Sequence, residues 1–134
     1  MTIEKQIEQF LSSVKYGVAG ASTNRNKYGN KVLRCYQQND RTVIPVHPRE
    51  AQIEGVDCVA SIADLPVEVE SLSVITPPAI TEKIVEQATA KGIKNIWMQP
   101  GAESPVAVEY CKEQGINVIA DGSCLLVVLR YREG

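Results

Sequence analysis

Apolar runs typical of strands alternate with helical patterns along nearly the whole chain, and this alternation is the feature that most restricts the fold. The runs occupy residues 16–19, 42–46, 72–75, 93–98 and 116–120. They are mostly continuous instead of alternating with polar residues, which is typical of strands in a parallel sheet covered on both faces. The pattern therefore predicts a three-layer α/β sandwich with a mostly parallel sheet of five or six strands.

Four helices are predicted from apolar residues that recur at helical spacing, and the first of them lies at the N-terminus. Their predicted inward faces are Ile3, Ile7, Phe10, Leu11 and Val14; Tyr28, Val32, Leu33 and Tyr36; Ile80, Ile84, Val85 and Ala88; and Ala107, Tyr110 and Cys111. Residues 49–66 lack such a pattern, apart from a predicted short strand near residues 56–59. The order of strands and helices predicts a Rossmann-like arrangement, in which ligands bind beyond the carboxyl ends of the strands.

Length and composition restrict the kind of protein. The 134 residues fit one domain, residues 1–134, and a net charge of −2 gives no basic field for nucleic acid. No apolar run approaches the roughly 20 residues of a membrane span and no signal-peptide core is found, so we expect a cytoplasmic protein without membrane association. Four separated cysteines and one histidine give no framework for a metal site. We expect the thiols to be reduced.

A turn of small residues, Gly20-Ala21-Ser22, joins the first strand to a polar stretch that precedes a helix. Such a turn favours phosphate binding, because glycine permits close backbone approach and the first N–H groups of a helix attract anions. The same residues are also common in tight turns that bind nothing. From the strand–helix order we expect this turn to lie beside the loops that follow the other strands.

The end of the second strand bears on the kind of nucleotide. An NAD site usually has G-x-G-x-x-G in the first turn and an acidic residue at the end of the second strand. This chain has neither, and its second strand ends in His47-Pro48-Arg49. Arg49 or His47 would suit a phosphorylated ribose. Alternatively, Arg49 is merely solvated and His47 is only a turn residue.

Several motifs in order resemble those of the small, free-standing CoA-binding domain proteins. They are residues 18–22 (VAGAS), 43–48 (VIPVHP), 53–55 (IEG), 64–66 (DLP), 96–101 (IWMQPG) and 117–121 (NVIAD). The match runs from about residue 16 to residue 126. A similar domain opens the α subunit of succinyl-CoA ligase and the ADP-forming acyl-CoA synthetases.

The resemblance implies coenzyme A as the ligand and assigns roles to matching positions. It implies CoA phosphates at Gly20, Ala21 and Ser22, with Arg25, Lys27 and Asn30 as polar helpers, and the ribose 3′-phosphate near His47 and Arg49. It further implies that Thr76, Pro77 and Pro78 flank the nucleotide and pantetheine, that Gln99 and Gly101 lie near the pantetheine arm, and that Cys124 lies near the CoA thiol.

The sequence indicates a module that binds CoA or an acyl-CoA, with a sensory or regulatory role as one use of that binding. No nucleophile elbow, Walker lysine or metal cluster is found, and whether the chain catalyses a reaction stays open. An acyl-CoA-processing enzyme or enzyme subunit and an NAD-type protein are the alternatives. Cys124 is either a thiol that exchanges with CoA or a packing residue. Trp97 is expected in the core, and the side chain of Gln99 in the ligand crevice. No protein partner can be named.

Overall fold

The structure is a computed structural model that describes residues 1–133, and it contains a five-stranded sheet in which every strand pairing is parallel. The spatial order of this sheet is β2-β1-β5-β6-β7, and a separate antiparallel pair is formed by β3 and β4. The strands are β1 (Lys15–Ala19), β2 (Thr42–Val46), β3 (Gln52–Ile53), β4 (Val56–Asp57), β5 (Val69–Val74), β6 (Asn95–Met98) and β7 (Asn117–Ile119).

Helices cover both faces of the sheet. They are α1 (Ile3–Phe10), α2 (Tyr28–Gln38), α3 (Pro78–Lys91), α4 (Pro105–Glu113) and α5 (Leu125–Val128), with a 3₁₀ turn at Ile62–Asp64. Hydroxyl groups cap two of them, because the side chains of Thr2 and Ser104 accept backbone N–H groups of the first turn. Left-handed Gly92 ends α3. None of the helices within residues 1–133 has the length and hydropathy needed to cross a membrane.

The apolar core has two parts, one on each side of the sheet. Aromatic residues of α1, β1, α2 and β6 fill one part, where Phe10 meets Trp97 edge-on at 5.2 Å and Tyr16 stacks on Tyr36 at 4.8 Å. Aliphatic residues such as Leu72 fill the other part, beneath α3 and α4. The predicted three-layer Rossmann-like fold and the core position of Trp97 are confirmed.

The strand order reverses between β1 and the central strand, β5. The chain leaves β1 toward the edge strand β2, and it later returns to β5 on the other side of β1. The Ile75 N–H donates to the Ala19 carbonyl at 2.9 Å, so the two strands stay paired up to their carboxyl ends. A parallel sheet of this kind leaves its ligand crevice at that reversal.

Both edges of the sheet have additional partners. On β2, Val59 donates to the Pro45 carbonyl at 3.0 Å and accepts from the His47 N–H at 2.9 Å. On β7, the Gln6 side-chain amide of α1 donates to the Val118 carbonyl at 2.9 Å. These contacts attach the segment of residues 49–66 and helix α1 to opposite edges of the sheet.

The structure differs from the sequence prediction in its shorter segments. Helix α1 ends at Phe10, so Val14 lies beyond it and is exposed. Tyr28 is the first residue of α2 and is 60% exposed, so it does not join the core face of that helix. The short strand expected near residues 56–59 is the antiparallel pair β3 and β4, followed by the bridge at Val59. The 3₁₀ turn and α5 were not anticipated.

Candidate functional site

Gly20 lies directly after β1 at the reversal of strand order, and its backbone requires glycine. Its φ is +92°, and a Cβ there would collide with the carbonyl oxygen of Ile75. The close approach that the sequence assigned to a phosphate is therefore already made by the backbone after β5. Gly20 is exposed, so its surface also remains open to a ligand.

A second glycine places α2 against this turn. A Cβ on Gly29 would collide with the carbonyl oxygen of Gly20, so the first turn of α2 packs directly on the end of β1. Helix α2 does not begin immediately after Ser22 but at Tyr28. No side chain caps its first N–H groups. Of these donors, the Asn30 N–H is engaged by the Lys27 carbonyl at 3.1 Å, and those of Tyr28 and Gly29 have no hydrogen-bond partner within residues 1–133.

A cavity of about 420 Å³ lies at the carboxyl ends of β1 and β2. We call it the basic cavity, because His47 and Arg49 line it. The turn contributes Gly20 and Ala21, and the loop after β5 contributes Thr76. Its apolar walls are Val46, Ile62, Ile80 and Ile84. The basic cavity thus combines backbone, cationic and apolar surfaces, as a nucleotide requires.

The two basic residues have different local roles. The Nδ1 atom of His47 accepts the backbone N–H groups of Arg49 and Glu50, each at 3.0 Å. This pattern assigns the proton of the neutral imidazole to Nε2, which is left as a donor. Arg49 is exposed and takes part in no ion pair within residues 1–133. His47 is therefore a turn residue and a cavity residue together.

The loop after Gly20 is held by a network of polar side chains centred on the buried Asn30. The Asn30 amide donates to the Ser22 carbonyl at 2.9 Å and to the Glu54 carboxylate at 3.0 Å. Glu54 also pairs with Arg25 at 3.4 Å. Asn30, expected as a polar helper to the ligand, is fully buried and fixes the loop instead.

Arg34 is the member of this network that sequence reasoning missed. Its Nε donates to the Asn30 side-chain oxygen at 2.7 Å, and its Nη2 donates to the Arg25 carbonyl at 2.9 Å. The side chain is almost fully buried. Within residues 1–133 no carboxylate lies within 4.0 Å of it. Its charge therefore lies beneath the loop without a direct counter-charge.

A second cavity, of about 330 Å³, lies on the side of the sheet that α2 covers. Its lining residues are Tyr28, Ile75, Gln99, Pro100 and Cys124, and we call it the thiol cavity. Ile75 in its wall is the neighbour of Thr76 in the basic cavity. Consecutive residues of the loop after β5 therefore line the two cavities.

Gln99 lines the thiol cavity, but its amide is already engaged. Its Oε1 accepts the Leu125 N–H at 2.8 Å, and its Nε2 lies 3.3 Å from the Cys124 sulfur. Gln99 is buried, so the side chain fixes the start of α5. Cys124 is half-buried.

The other cysteines are less accessible or lie away from this cavity. Burial raises the pKa of the Cys35 thiol to about 11, with a smaller effect from Cys124, and burial raises the pKa of Cys111 to about 11. Cys58 is half-buried, and burial raises the pKa of its thiol. Within residues 1–133 no group of three His, Cys, Asp or Glu side chains is arranged to hold a metal ion.

Comparison with known proteins assigns the chain to a family. The sequence profile of the CoA binding domain matches residues 14–130. The chain belongs to the CoA binding domain family. This match covers the five-stranded sheet and both cavities, and it agrees with the resemblance noted from the sequence motifs.

Relatives of this CoA binding domain occur both inside large enzymes and as small proteins. The acetate–CoA ligase (ADP-forming) of Methanocaldococcus jannaschii is 24% identical over 103 residues, which are 77% of this chain and 14% of the ligase. The uncharacterized protein YneT of Bacillus subtilis is 24% identical over 117 residues, 87% of each chain. The solved structure of a conserved hypothetical protein from Pyrococcus furiosus is 33% identical, with a TM-score of 0.81 and coverage of 85% of this chain and 97% of that one.

The residues proposed for the ligand fall into four groups in the CoA binding domain. Gly20, Ala21, His47, Arg49 and Thr76 line the basic cavity, and Gln99 and Cys124 line the thiol cavity. Ser22, Arg25, Lys27 and Asn30 belong to the loop or to the start of α2. Pro77, Pro78 and Gly101 line neither cavity; the prolines start α3, and Gly101 adopts a left-handed turn with φ of +97°.

Proposed function

We propose that this protein binds CoA or an acyl-CoA across the carboxyl edge of the sheet, as a non-catalytic module. The observation that carries this proposal is the pair of cavities with different chemistry that consecutive residues of the loop after β5, Ile75 and Thr76, line. Coenzyme A is itself two-ended, with a phosphorylated nucleotide at one end and an uncharged thiol arm at the other. The family supports the choice of ligand.

The basic cavity is proposed for the nucleotide. Arg49 and the Nε2–H of His47 would donate to the ribose 3′-phosphate, because charge-assisted donors bind phosphate strongly. The backbone around Gly20 and Ala21 and the uncapped start of α2 would face the diphosphate. The apolar side chains of Ile80 and Ile84 give a surface for the adenine.

The thiol cavity is proposed for the other end of the ligand. The arm would bring its thiol past Ile75 to the mouth of this cavity, which the half-buried Cys124 lines. Bound in this way, CoA would contact elements from both faces of the sheet. Occupancy would then change the surface that the protein presents, which is the basis of the proposed sensory or regulatory role.

A second candidate function is that of a subunit in acyl-CoA chemistry, which the similarity to acetate–CoA ligases favours. This chain spans 14% of those ligases, so their reaction is proposed here only for an assembly with further chains. Copurification of a second chain that restores thioester formation would support it. Binding of CoA without such a chain supports the binding module.

Thermal unfolding in the presence of ligands tests the proposed function. A ligand at 100 times its dissociation constant adds about 2.7 kcal/mol to the free energy of unfolding, which raises the melting temperature by several degrees in a domain of this size. We expect CoA to raise the melting temperature more than NAD or ATP at equal concentration. Equal or greater stabilisation by NAD would contradict the proposal.

Dephospho-CoA, which lacks the 3′-phosphate, tests the proposal that His47 and Arg49 bind this phosphate. It should bind more weakly than CoA, and Arg49→Ala should remove most of the difference, since the exposed guanidinium forms no ion pair within residues 1–133. Lys112→Ala, a charge removed from the distant α4, is the matched control. Equal affinities of the unmodified protein for the two ligands would place the 3′-phosphate elsewhere.

A further inference from the structure

The lining of the thiol cavity differs in kind from that of the basic cavity. His47 and Arg49 line the basic cavity, whereas among the described residues 1–133 no Asp, Glu, Lys, Arg or His lines the thiol cavity. The surface of the thiol cavity is formed by an aromatic ring, an isoleucine, a proline, a cysteine and one amide. This difference shows that the two ends of a bound molecule would meet very different environments.

Tyr28 is the least explained of these lining residues. It is 60% exposed, although it starts a helix whose other large apolar side chains, Val32, Leu33 and Tyr36, are fully buried. The Nζ atom of Lys31 lies 5.6 Å from the centroid of the Tyr28 ring. Tyr28 also lines the thiol cavity. An exposed aromatic ring beside an exposed proline, Pro100, gives an apolar surface that a ligand can cover.

The hydrogen-bonding capacity of the cavity is also largely engaged. Gln99 directs its oxygen to the Leu125 N–H and its nitrogen to the sulfur of Cys124. A polar ligand group placed here would lose its hydration without gaining equivalent partners. A hydrocarbon chain needs no such partners, so the cavity is better matched to an apolar group.

We propose that the thiol cavity holds the acyl chain of an acyl-CoA, so that the protein prefers thioesters with an apolar acyl group to free CoA. The inference rests on the proposed CoA site, because the nucleotide end must lie in the basic cavity for the chain to reach Tyr28 and Cys124. It goes further in assigning the acyl group a bounded, uncharged cavity within the protein. The proposal concerns binding alone and involves no covalent step.

Affinity should then depend on chain length. Each methylene group that becomes fully buried strengthens binding by up to about fourfold. Because the cavity has a volume of about 330 Å³, the increase should stop once the chain fills it. Longer chains would extend into solvent and should bind no better than the chain that fills the cavity.

The experiment measures dissociation constants by isothermal titration calorimetry for CoA and for acetyl-, butyryl-, hexanoyl-, octanoyl- and decanoyl-CoA. The readout is the ratio of each thioester's affinity to that of CoA, which cancels changes in binding of the nucleotide end. We expect the ratio to rise and then level off in the unmodified protein. Tyr28→Phe should keep this dependence, and Tyr28→Ala should flatten it. Val67→Ala, another exposed apolar residue but before the amino end of β5, is the matched control.

Each contrary outcome has a distinct meaning. Binding of CoA with a flat or falling series would overturn the acyl-chain inference and leave the proposed CoA site in place. A rising series that Tyr28→Ala does not change would also overturn it, since the chain would then lie elsewhere. Failure of CoA and every thioester to bind would overturn the proposed function together with the inference.

Discussion

The guanidinium of Arg34 lies below the loop that follows Gly20 and joins two parts of that loop. It donates hydrogen bonds to the Asn30 side chain and to the Arg25 carbonyl. Its central carbon, Cζ, lies over the ring of Tyr131, 5.5 Å from the ring centroid. Hydrogen bonds from a charged donor are stronger than neutral ones. The same buried charge, with no carboxylate against it in the described chain, favours an anion above the loop.

Replacing Arg34 should therefore weaken binding of the diphosphate as well as the fold. We expect Arg34→Met to lower the free energy of unfolding by about 1–3 kcal/mol, because the buried Asn30 oxygen and the part-buried Arg25 carbonyl lose their donor. It should lower affinity for CoA at least tenfold and reduce the salt dependence of that affinity. Affinity for pantetheine, which has no diphosphate, should change much less.

Arg34→Lys separates the two effects, since it keeps the charge but not the planar set of donors. It should recover part of the affinity and the salt dependence. Urea denaturation and calorimetry at two salt concentrations provide the measurements, with Lys112→Met as the control for loss of one positive charge. Unchanged CoA affinity in a folded Arg34→Met protein would show that the charge is irrelevant to the ligand.

The positions of candidate site residues could be predicted from the sequence where the residues follow the end of a strand. They could not be predicted where the residues belong to a network of side chains. Gly20 and Arg49 follow adjacent parallel strands, so their proximity follows from the strand–helix order alone. Arg34 was missed because it occurs in an apolar helix pattern, although its spacing of four from Asn30 was a readable signal. Glu54 reaches the loop through the β3–β4 hairpin, whose position no periodicity indicates.

At the scale of elements, the contact between α2 and the end of β1 depends on two glycines. Gly29 has no room for a Cβ beside the Gly20 carbonyl, and both partners are backbone atoms that cannot rotate away. The helix therefore approaches the strand more closely than any larger residue permits. The turn and the start of α2 form one rigid unit.

Gly29→Ala should force this unit apart. We expect a loss of about 1–3 kcal/mol in the free energy of unfolding, the usual range for an overpacked site, despite the higher helix propensity of alanine. Urea denaturation measures it, and Glu109→Ala on the exposed face of α4 is the control helix substitution. An equal or higher stability of Gly29→Ala would show that α2 can shift without cost.

The long elements could be predicted because each carries a repeated pattern, and the short ones could not. Val32, Leu33 and Tyr36 are fully buried as the helical spacing predicts. Tyr28 occupies the same face by spacing, but it is the first residue of α2 and lines the thiol cavity. Helix α5 has four residues, too few for a period to be recognised.

At the scale of the whole molecule, two buried thiols link stability to alkaline pH. Burial raises the pKa values of Cys35 and Cys111 from 9.0 to about 11 in the folded protein. Their neutral forms are therefore favoured by folding, so this contribution is fully present below pH 9.0 and is lost as pH rises toward about 11. Between these values the unfolded chain has already released protons that the folded chain keeps.

We expect the free energy of unfolding to fall in this window by up to about 1.4 kcal/mol per pH unit for each thiol. Urea denaturation under reducing conditions at several pH values from neutral to alkaline measures this slope. The double variant Cys35→Ala, Cys111→Ala should be less stable at neutral pH because of the lost packing, but its alkaline slope should be shallower. Parallel slopes in the two proteins would contradict a role for these thiols.

The additional partners on β2 and β7 affect how molecules meet one another. A free edge strand is a template for strand pairing between molecules and hence for aggregation. Here Val59 occupies the outer side of β2, where Pro45 also lacks an N–H donor, and the Gln6 amide of α1 occupies the Val118 carbonyl of β7. Intermolecular pairing at either edge therefore requires that one of these segments first be displaced, and release of α1 would expose the apolar face of Trp97 at the same time.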